Sequence, residues 1–369
     1  MQSWPDSSLL DLLKLEIPII QAPMAGSDSV GLARSVSSTG ALGSLACALL
    51  SPDEVREAMR GLRHEMRRPF NLNFFCHTME APDNATTQKW RQFLRPHYER
   101  MGLDIESIAE SRLRLPFNEE MCVVVEEIKP EVVSFHFGLP TPVLVERLKR
   151  HGIKILSSAT SVREAKWLES RGCDAIIAQG IEAGGHRGMF LETNIATQLG
   201  LFALLPQVKD AVSVPVIAAG GIADARGVLA AMSLGASGVQ LGTAYLFCPE
   251  ANVSPLYRRA LEQAAGGETA LTNLFSGRPA RGLLNRYLQE SGPMSDATPP
   301  FPYAATFVAP LRAASERAGS LDYMQLWAGQ AAGLAKSMPA DQFTRKFAAD
   351  VLCNLYSTSG CDSRPDTSN

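Results

Sequence analysis

Between residues 154 and 241 the chain keeps repeating one unit: a short apolar run, a helix-like stretch, and a glycine where the helix should stop. The apolar runs are 154–157, 174–179, 214–219 and 238–241. Helices are expected from the cap Ser161-Val162-Arg163-Glu164 to Gly172, over 196–204, and over 224–233 before Gly235. A continuously apolar strand is buried on both faces, and a parallel neighbour is reached only through a crossover helix. Upstream, 17–20, 41–46, 70–75 and 131–137 read as strands. Helices are expected there over 30–38, from the Ser51-Pro52-Asp53-Glu54 cap to about residue 66, and over 121–128. Eight strands separated by helices predict an α/β fold of the TIM (β/α)8 barrel type. An open doubly wound sheet alternates in the same way and is the competing architecture.

The barrel should occupy 1–75 and 119–248. Residues 76–118 break the pattern with polar and aromatic helix-like sequence punctuated by Pro82, Pro96 and Pro116, and read as an insertion over one end of the scaffold. Beyond Cys248 the strand signal disappears. Helices over 253–265, 313–338 and 342–355, with a proline-rich connection at 293–310, predict a helical substrate-covering region over 249–356. That helical end could pair with a second copy to form a homodimer or simply cover a pocket. The polar tail, 357–369, is expected to be disordered. A net charge of −3 gives no basic excess, which argues against nucleic acid as a partner. No secretory leader pattern and no run of the roughly 20 apolar residues needed to span a bilayer is found, so a soluble, cytoplasmic protein without a membrane partner is expected. The seven cysteines form no C-x-x-C pair, which suits free thiols and predicts no metal site.

The run at 175–179 ends in a loop with Gly180, Gly184, Gly185 and Gly188, one histidine, His186, and one carboxylate, Glu182. Such a loop brings backbone close to a bound group, although a plain glycine hairpin with a solvated histidine would read the same way. Barrels bind ligands at the C-terminal ends of their strands and commonly hold phosphate with the last two loops. Gly220-Gly221 and Gly242-Thr243 follow the seventh and eighth runs, where glycine amides and a hydroxyl can hold a dianion without a basic side chain. Across the mouth, Ala22, Pro23 and Met24 would let a flat ring rest against backbone. Asn73 and Gln179 offer amide donors and acceptors, and His136 stands at another strand tip. A flavin suits this set, and the lack of G-x-G-x-x-G after the first strand favours FMN over a dinucleotide.

The segments IIQAPMAG (19–26), PFNLNFF (69–75), SFHFGLP (134–140), QGIEAGGHRG (179–188), AAGGI (218–222), QLGT (240–243) and LRAASERAGSLDYMQLWAGQ (311–330) resemble class I nitronate monooxygenases, also called 2-nitropropane dioxygenases. The resemblance implies FMN contacts at Asn73, Gln179, Gly184, Gly221 and Gln240-Leu241-Gly242-Thr243, with His186 as catalytic base. It implies oxidative denitrification: alkyl nitronates such as propionate 3-nitronate, with O2, give a carbonyl compound and nitrite. Tyr257 and Tyr303 are the candidate aromatic residues of the substrate pocket, and a protonated His136 could bind the nitro group or be a packed strand-end residue. Two alternatives stand beside this reading. The glycine loop with its histidine is shared with NAD(P)H-dependent flavin reductases of enoyl-acyl-carrier-protein or quinones. A non-flavin barrel lyase or isomerase could use the same loops for a phosphorylated substrate, but no strand-end lysine is evident, since Lys154 begins its strand.

Overall fold

In the computed structural model, residues 3–63, 66–108, 113–264 and 268–358 are described. In chain order the strands are β1 (Ile19–Gln21), β2 (Gly43–Ala46), β3 (Phe70–Phe75), β4 (Val132–His136), β5 (Lys154–Ala159), β6 (Ala175–Gln179), β7 (Gly185–His186), β8 (Val216–Ala219), β9 (Gly238–Leu241), β10 (Thr269–Thr272) and β11 (Ala280–Leu283). All but β7, β10 and β11 join one parallel sheet in the order β1-β9-β8-β6-β5-β4-β3-β2. Its ends meet. Leu42 N donates to Ile19 O at 3.0 Å and Gln21 N to Leu42 O at 2.9 Å, so β1 closes against the entry to β2. The ring is a TIM barrel, and the open-sheet alternative falls.

Strand alternation sorts the barrel interior into layers. At the bottom, Leu9 and Leu13 of the first helix, Ser8–Leu13, pack with Ile20, Leu156, Ile177 and Ile217 into a dry plug. Above it lies a polar layer. Asn71 Nδ2 donates to Ser44 Oγ and Ser134 Oγ, both at 2.9 Å, and Asn73 Nδ2 meets Ser134 Oγ at 2.9 Å. The two asparagines share a face, as period two requires. A plugged bottom and a polar upper layer leave the C-terminal ends of the strands as the place to bind a ligand.

Several elements differ from the sequence reading. The helix expected at 196–204 runs over Leu201–Ala211, because Glu182 accepts from Leu201 N with both carboxylate oxygens, at 2.9 and 3.0 Å, and fixes the start there. A helix at Pro142–Arg150, between β4 and β5, was not singled out. The insertion contains one long helix, Asn84–Arg100, whose Trp90, Leu94 and Tyr98 pack on Phe275, Tyr287 and Leu311 from the C-terminal region. Strands do occur beyond Cys248: β10 and β11 pair antiparallel, and β11 pairs with β7 of the glycine loop. Their sequences, TALT and ARGL, are too short and too polar to announce themselves by apolar runs. The helix expected at 313–338 is instead Ala304–Arg317, starting inside the proline-rich connection and stopped by Gly319 at φ +67°. The last helix, Ala340–Thr358, enters the stretch expected to be disordered, and 359–369 lie outside the described residues. The helix opened at Ser51 spans Pro52–Arg63, and 64–65 are likewise outside them. No helix among the described residues is long and apolar enough to cross a membrane.

Candidate active site

A cleft of about 1320 Å³, measured out to its open mouth and so including solvent space, sits over the C-terminal ends of the barrel strands, where barrels bind their ligands. One wall is the turn Ala22-Pro23-Met24 after β1. Asp28 holds it: Oδ2 accepts from Met24 N at 2.9 Å and from Ala46 N at 2.8 Å, tying the turn to the end of β2. Burial pushes the Asp28 carboxyl up to about 7. Asp28 was missed in the sequence, where a lone acid in MAGSDS looks like a solvated turn residue.

The turns after β8 and β9 form the opposite wall. Gly220 and Gly221 take φ of +109° and +69°, a left-handed conformation that side chains resist. Among the described residues the Gly221 and Gly242 amides donate to no protein carbonyl, so both remain available to a ligand. Thr243 Oγ1 accepts from Gly329 N at 2.9 Å and keeps its own hydrogen to give. Gln240 also lines the cleft, with a buried Oε1 that has no partner. Leu241 does not line it. Its side chain is buried in the helix–sheet layer outside the barrel, because strand alternation turns it away.

The glycine loop is clamped from within. Gln179 Nε2 donates to His186 O at 3.0 Å, and its Oε1 accepts from Gly188 N at 2.8 Å. Gln179 therefore shapes the loop and has a single N–H left for a ligand. Arg187, fully buried, donates from Nη2 to Gln179 O at 2.8 Å and from Nε to Gln198 Oε1 at 3.1 Å, and its Nη1 meets Gly180 O. Gly184 and Gly188 are required by close approach: a Cβ on Gly184 would stand 2.5 Å from Gly329 N, and one on Gly188 2.9 Å from His136 Cε1. Glu182, the one carboxylate of the loop, is spent on the helix at Leu201.

His186 lines the cleft with Nε2 2.8 Å from Ser276 Oγ. Its ring is packed by Phe301 at 5.4 Å, Trp327 at 5.6 Å, and Phe75 and Phe137 at 6.1 Å. Burial, and then the nearby charges of Arg114, Arg278 and other histidines, hold the imidazole well below its ordinary range. His136 differs. Its Nε2 lies 3.1 Å from the His186 carbonyl and its Nδ1 3.0 Å from Ser158 Oγ. A carbonyl only accepts, so Nε2 carries the hydrogen and Nδ1 accepts from the serine. Burial pushes that ring down to about 4. Both ring nitrogens are thus engaged in propping the loop that carries His186, and burial disfavours the protonated form that the expected contact with a nitro group requires.

The remaining expectations divide. Ala22, Pro23, Met24, Asn73, Gln179, Gly184, Gly185, Gly220, Gly221, Gln240, Gly242 and Thr243 all line the cleft, together with His136, His186 and Tyr257. Tyr257 gives its hydroxyl to Trp327 O. Tyr303 is not among the lining residues. It stands at the start of the helix Ala304–Arg317, and Phe301, two residues earlier, packs on His186 in its stead. Ser276, Phe301, Trp327 and Arg114 were not singled out; Trp327 falls within the 311–330 segment that carries the resemblance, and no local motif marks the other three.

Known proteins resemble this chain in sequence and in fold. A family model described as nitronate monooxygenase matches residues 6–350. A nitronate monooxygenase of Paraburkholderia phytofirmans is 42% identical over 349 residues, covering 93% of this chain and 94% of that one. A nitronate monooxygenase of Pseudomonas aeruginosa is 39% identical over 343 residues, covering 92% and 97%. Among solved structures, a nitroalkane oxidase from Streptomyces ansochromogenes superposes with a TM-score of 0.86 at 35% identity, covering 96% of this chain and all of the other. FabK from Thermotoga maritima superposes with a TM-score of 0.73 at 28% identity, covering 97% and 99%. These likenesses set aside the lyase or isomerase reading: the chain is an oxidoreductase and belongs to the nitronate monooxygenase family.

Proposed function

We propose that this enzyme binds FMN in the cleft and uses O2 to oxidise alkyl nitronates, such as propionate 3-nitronate, to a carbonyl compound and nitrite. The observation that carries the reading is the placing of His186: a neutral imidazole on one side of a cleft whose other side is two glycine turns with free amides. The residues fit the cofactor. Among the described residues the cleft lining contains no aspartate or glutamate to repel a phosphate, and Gln240 Oε1 is free to accept from a donor such as the imide N–H of an isoalloxazine. The Gly221, Gly242 and Thr243 groups would hold the phosphate, and Ala22-Pro23-Met24 would back the ring beside Asn73. Bound FMN supplies an electron acceptor for a carbanion-like substrate and afterwards a donor to O2.

The protein's own part is binding and proton handling. Ser276 Oγ donates to Arg278 O at 3.3 Å, so it accepts from Nε2–H of His186 and leaves the Nδ1 lone pair as the base. That nitrogen can take the α-proton of a neutral nitroalkane, while a preformed nitronate needs no such step. The barrel, 1–75 and 119–248, holds the cofactor, and the insertion 76–118 with 249–356 covers the substrate. Residence in the cytoplasm accords with the free cysteines of the described residues.

The test is a visible spectrum of the purified protein followed by nitrite release from propionate 3-nitronate in air. A colourless protein that takes up no FMN overturns the reading. A second reading, an NAD(P)H-dependent flavin reductase, is favoured by the likeness to FabK. Under nitrogen, bleaching of the flavin by NADH but not by the nitronate would select it.

A further inference from the structure

Gln198 takes no part in the cleft, yet its amide is committed at both ends. Oε1 accepts from Nε of Arg187 at 3.1 Å and from Nη2 at 2.9 Å, the same two nitrogens with which Arg147 grips the Glu126 carboxylate. Nε2 donates to Thr160 Oγ1 at 3.1 Å, and that hydroxyl donates to Glu164 Oε2 at 2.8 Å. Every link therefore runs one way, from a guanidinium to a carboxylate through two neutral side chains. All four residues are buried, and none is among those lining the cleft.

The chain of bonds starts and ends on one stretch of the glycine loop. Arg187 directly follows His186, and Glu164 Oε1 accepts from Phe190 N at 2.6 Å and from Leu191 N at 3.0 Å. Residues 187–191 are thus braced at both ends against the first turn of the helix Val162–Glu169. Neighbours in an extended segment project to opposite sides, and here His186 faces the cleft while Arg187 faces away from it. Anchoring the one sets where the other stands. The strand β7 offers only two residues of pairing to do the same. The remaining Arg187 bonds go to Gln179 O and Gly180 O, and the Gln179 amide in turn holds His186 O and Gly188 N.

We infer that Gln198 is a positioning residue for His186: by aiming Arg187 it braces residues 187–191 and holds the imidazole at the place where it meets the substrate carbon. This rests on the reading of His186 as the base. Gln198 acts by geometry and not by charge, since after burial the groups that depress His186 are Arg114, His136, Arg278 and His77. A reacting group misplaced by about 1 Å can cost on the order of 10²-fold in rate.

The experiment compares the FMN-loaded protein with its Gln198→Leu variant on nitroethane and on ethyl nitronate, and follows hydrogen exchange of residues 187–191 as a reading that needs no turnover. In the variant, kcat on nitroethane should fall about 10- to 100-fold with KM changed by less than about threefold. Ethyl nitronate has no proton to give up, so its kcat should stay within about twofold. Exchange at 187–191 should quicken about tenfold or more, with flavin content as in the wild type. The acid limb of the pH profile should not move, because no charge is removed. Thr160→Val breaks the same chain one link further from His186; it should give the same pattern at smaller amplitude, and it carries the test if Gln198→Leu does not fold. Equal losses on both substrates, a raised KM with kcat intact, loss of flavin, or unaltered exchange overturns the positioning role. A wild type that leaves nitroethane untouched overturns the base reading instead. Faster exchange at 187–191 in Gln198→Leu then still supports the brace, and unchanged exchange overturns it.

Discussion

The floor and the roof of the cleft are built by different means. The floor is barrel, and it presents backbone: the turns at Gly220-Gly221 and Gly242-Thr243, the Ala22-Pro23-Met24 segment, and amide side chains fixed by the strands beneath. The roof is drawn from irregular segments and presents side chains, namely Ser276, Phe301 and Trp327. They meet at the glycine loop. Its β7 pairs with β11 of the roof, and Arg187 N donates to Pro279 O at 2.9 Å. Gln330 N donates to Glu182 O at 3.0 Å. His186 thus belongs to a floor loop by sequence and to the roof by its partner. A parallel barrel is held by ladders, so it can offer unpaired amides at its rim without losing its shape. The roof has fewer ladders and fixes its side chains by packing.

Removing the residue on the seam should have the largest effect. His186→Asn should lower kcat/KM for a neutral nitroalkane by about 10²–10⁴-fold, the usual worth of a general base. Turnover of the preformed nitronate should fall far less, and nitrite release from each form measures the gap. Equal losses on both would show that the imidazole is not a base. The pH dependence sharpens this. Because burial and neighbouring cations hold His186 well below its ordinary range, its lone pair persists into acid, and the rate on a neutral nitroalkane should not fall between pH 8 and pH 6. Arg278→Met removes one of those cations, so the imidazole should gain affinity for protons and the acid limb of the profile should move to higher pH.

Next come variants that should separate floor from roof. Gly221→Val places a branched side chain at φ +69°, where left-handed backbone costs roughly 1–2 kcal/mol, and distorts a turn whose amide is free. FMN affinity, read by fluorescence titration, should weaken about 10- to 100-fold. Phe301→Leu opens the packing on His186 and should lower kcat/KM about tenfold while the flavin stays bound. If the Phe301 variant lost flavin as fully as the Gly221 one, the division between the two walls would be broken.

The same division explains what could be read from sequence. Glycines at fixed places between helix and strand, and period-two burial of Asn71 and Asn73, are local signals, so the barrel and its rim were legible. The roof was not. Ser276 comes 90 positions after the histidine it meets, and β11 is four residues of mixed polarity that meets the glycine loop through a strand of only two. Tyr303 was a reasonable choice by residue type. Phe301 is instead the residue that packs on His186, while Tyr303 stands at the start of the helix Ala304–Arg317 and outside the cleft lining.

Asp28 offers the mildest test, and it concerns the floor alone. Its folded carboxyl is raised to about 7 from an ordinary value near 3.8, with burial as the cause. The folded state therefore holds the proton more tightly than the unfolded one. The stability this contributes is complete below about pH 4 and declines as pH rises, reaching its lower plateau once pH passes 7. In Asp28→Asn the amide oxygen can still accept from Met24 N and Ala46 N, but nothing ionises. The melting temperatures of variant and wild type should therefore shift relative to one another in favour of the variant between pH 5 and pH 8, by the equivalent of roughly 1–3 kcal/mol. A constant gap across that range would mean that an ionised carboxylate holds the Ala22-Pro23-Met24 turn. The anchoring of the floor would then be electrostatic, and the floor would differ from the packed roof in the charge that fixes it as well as in the backbone it presents.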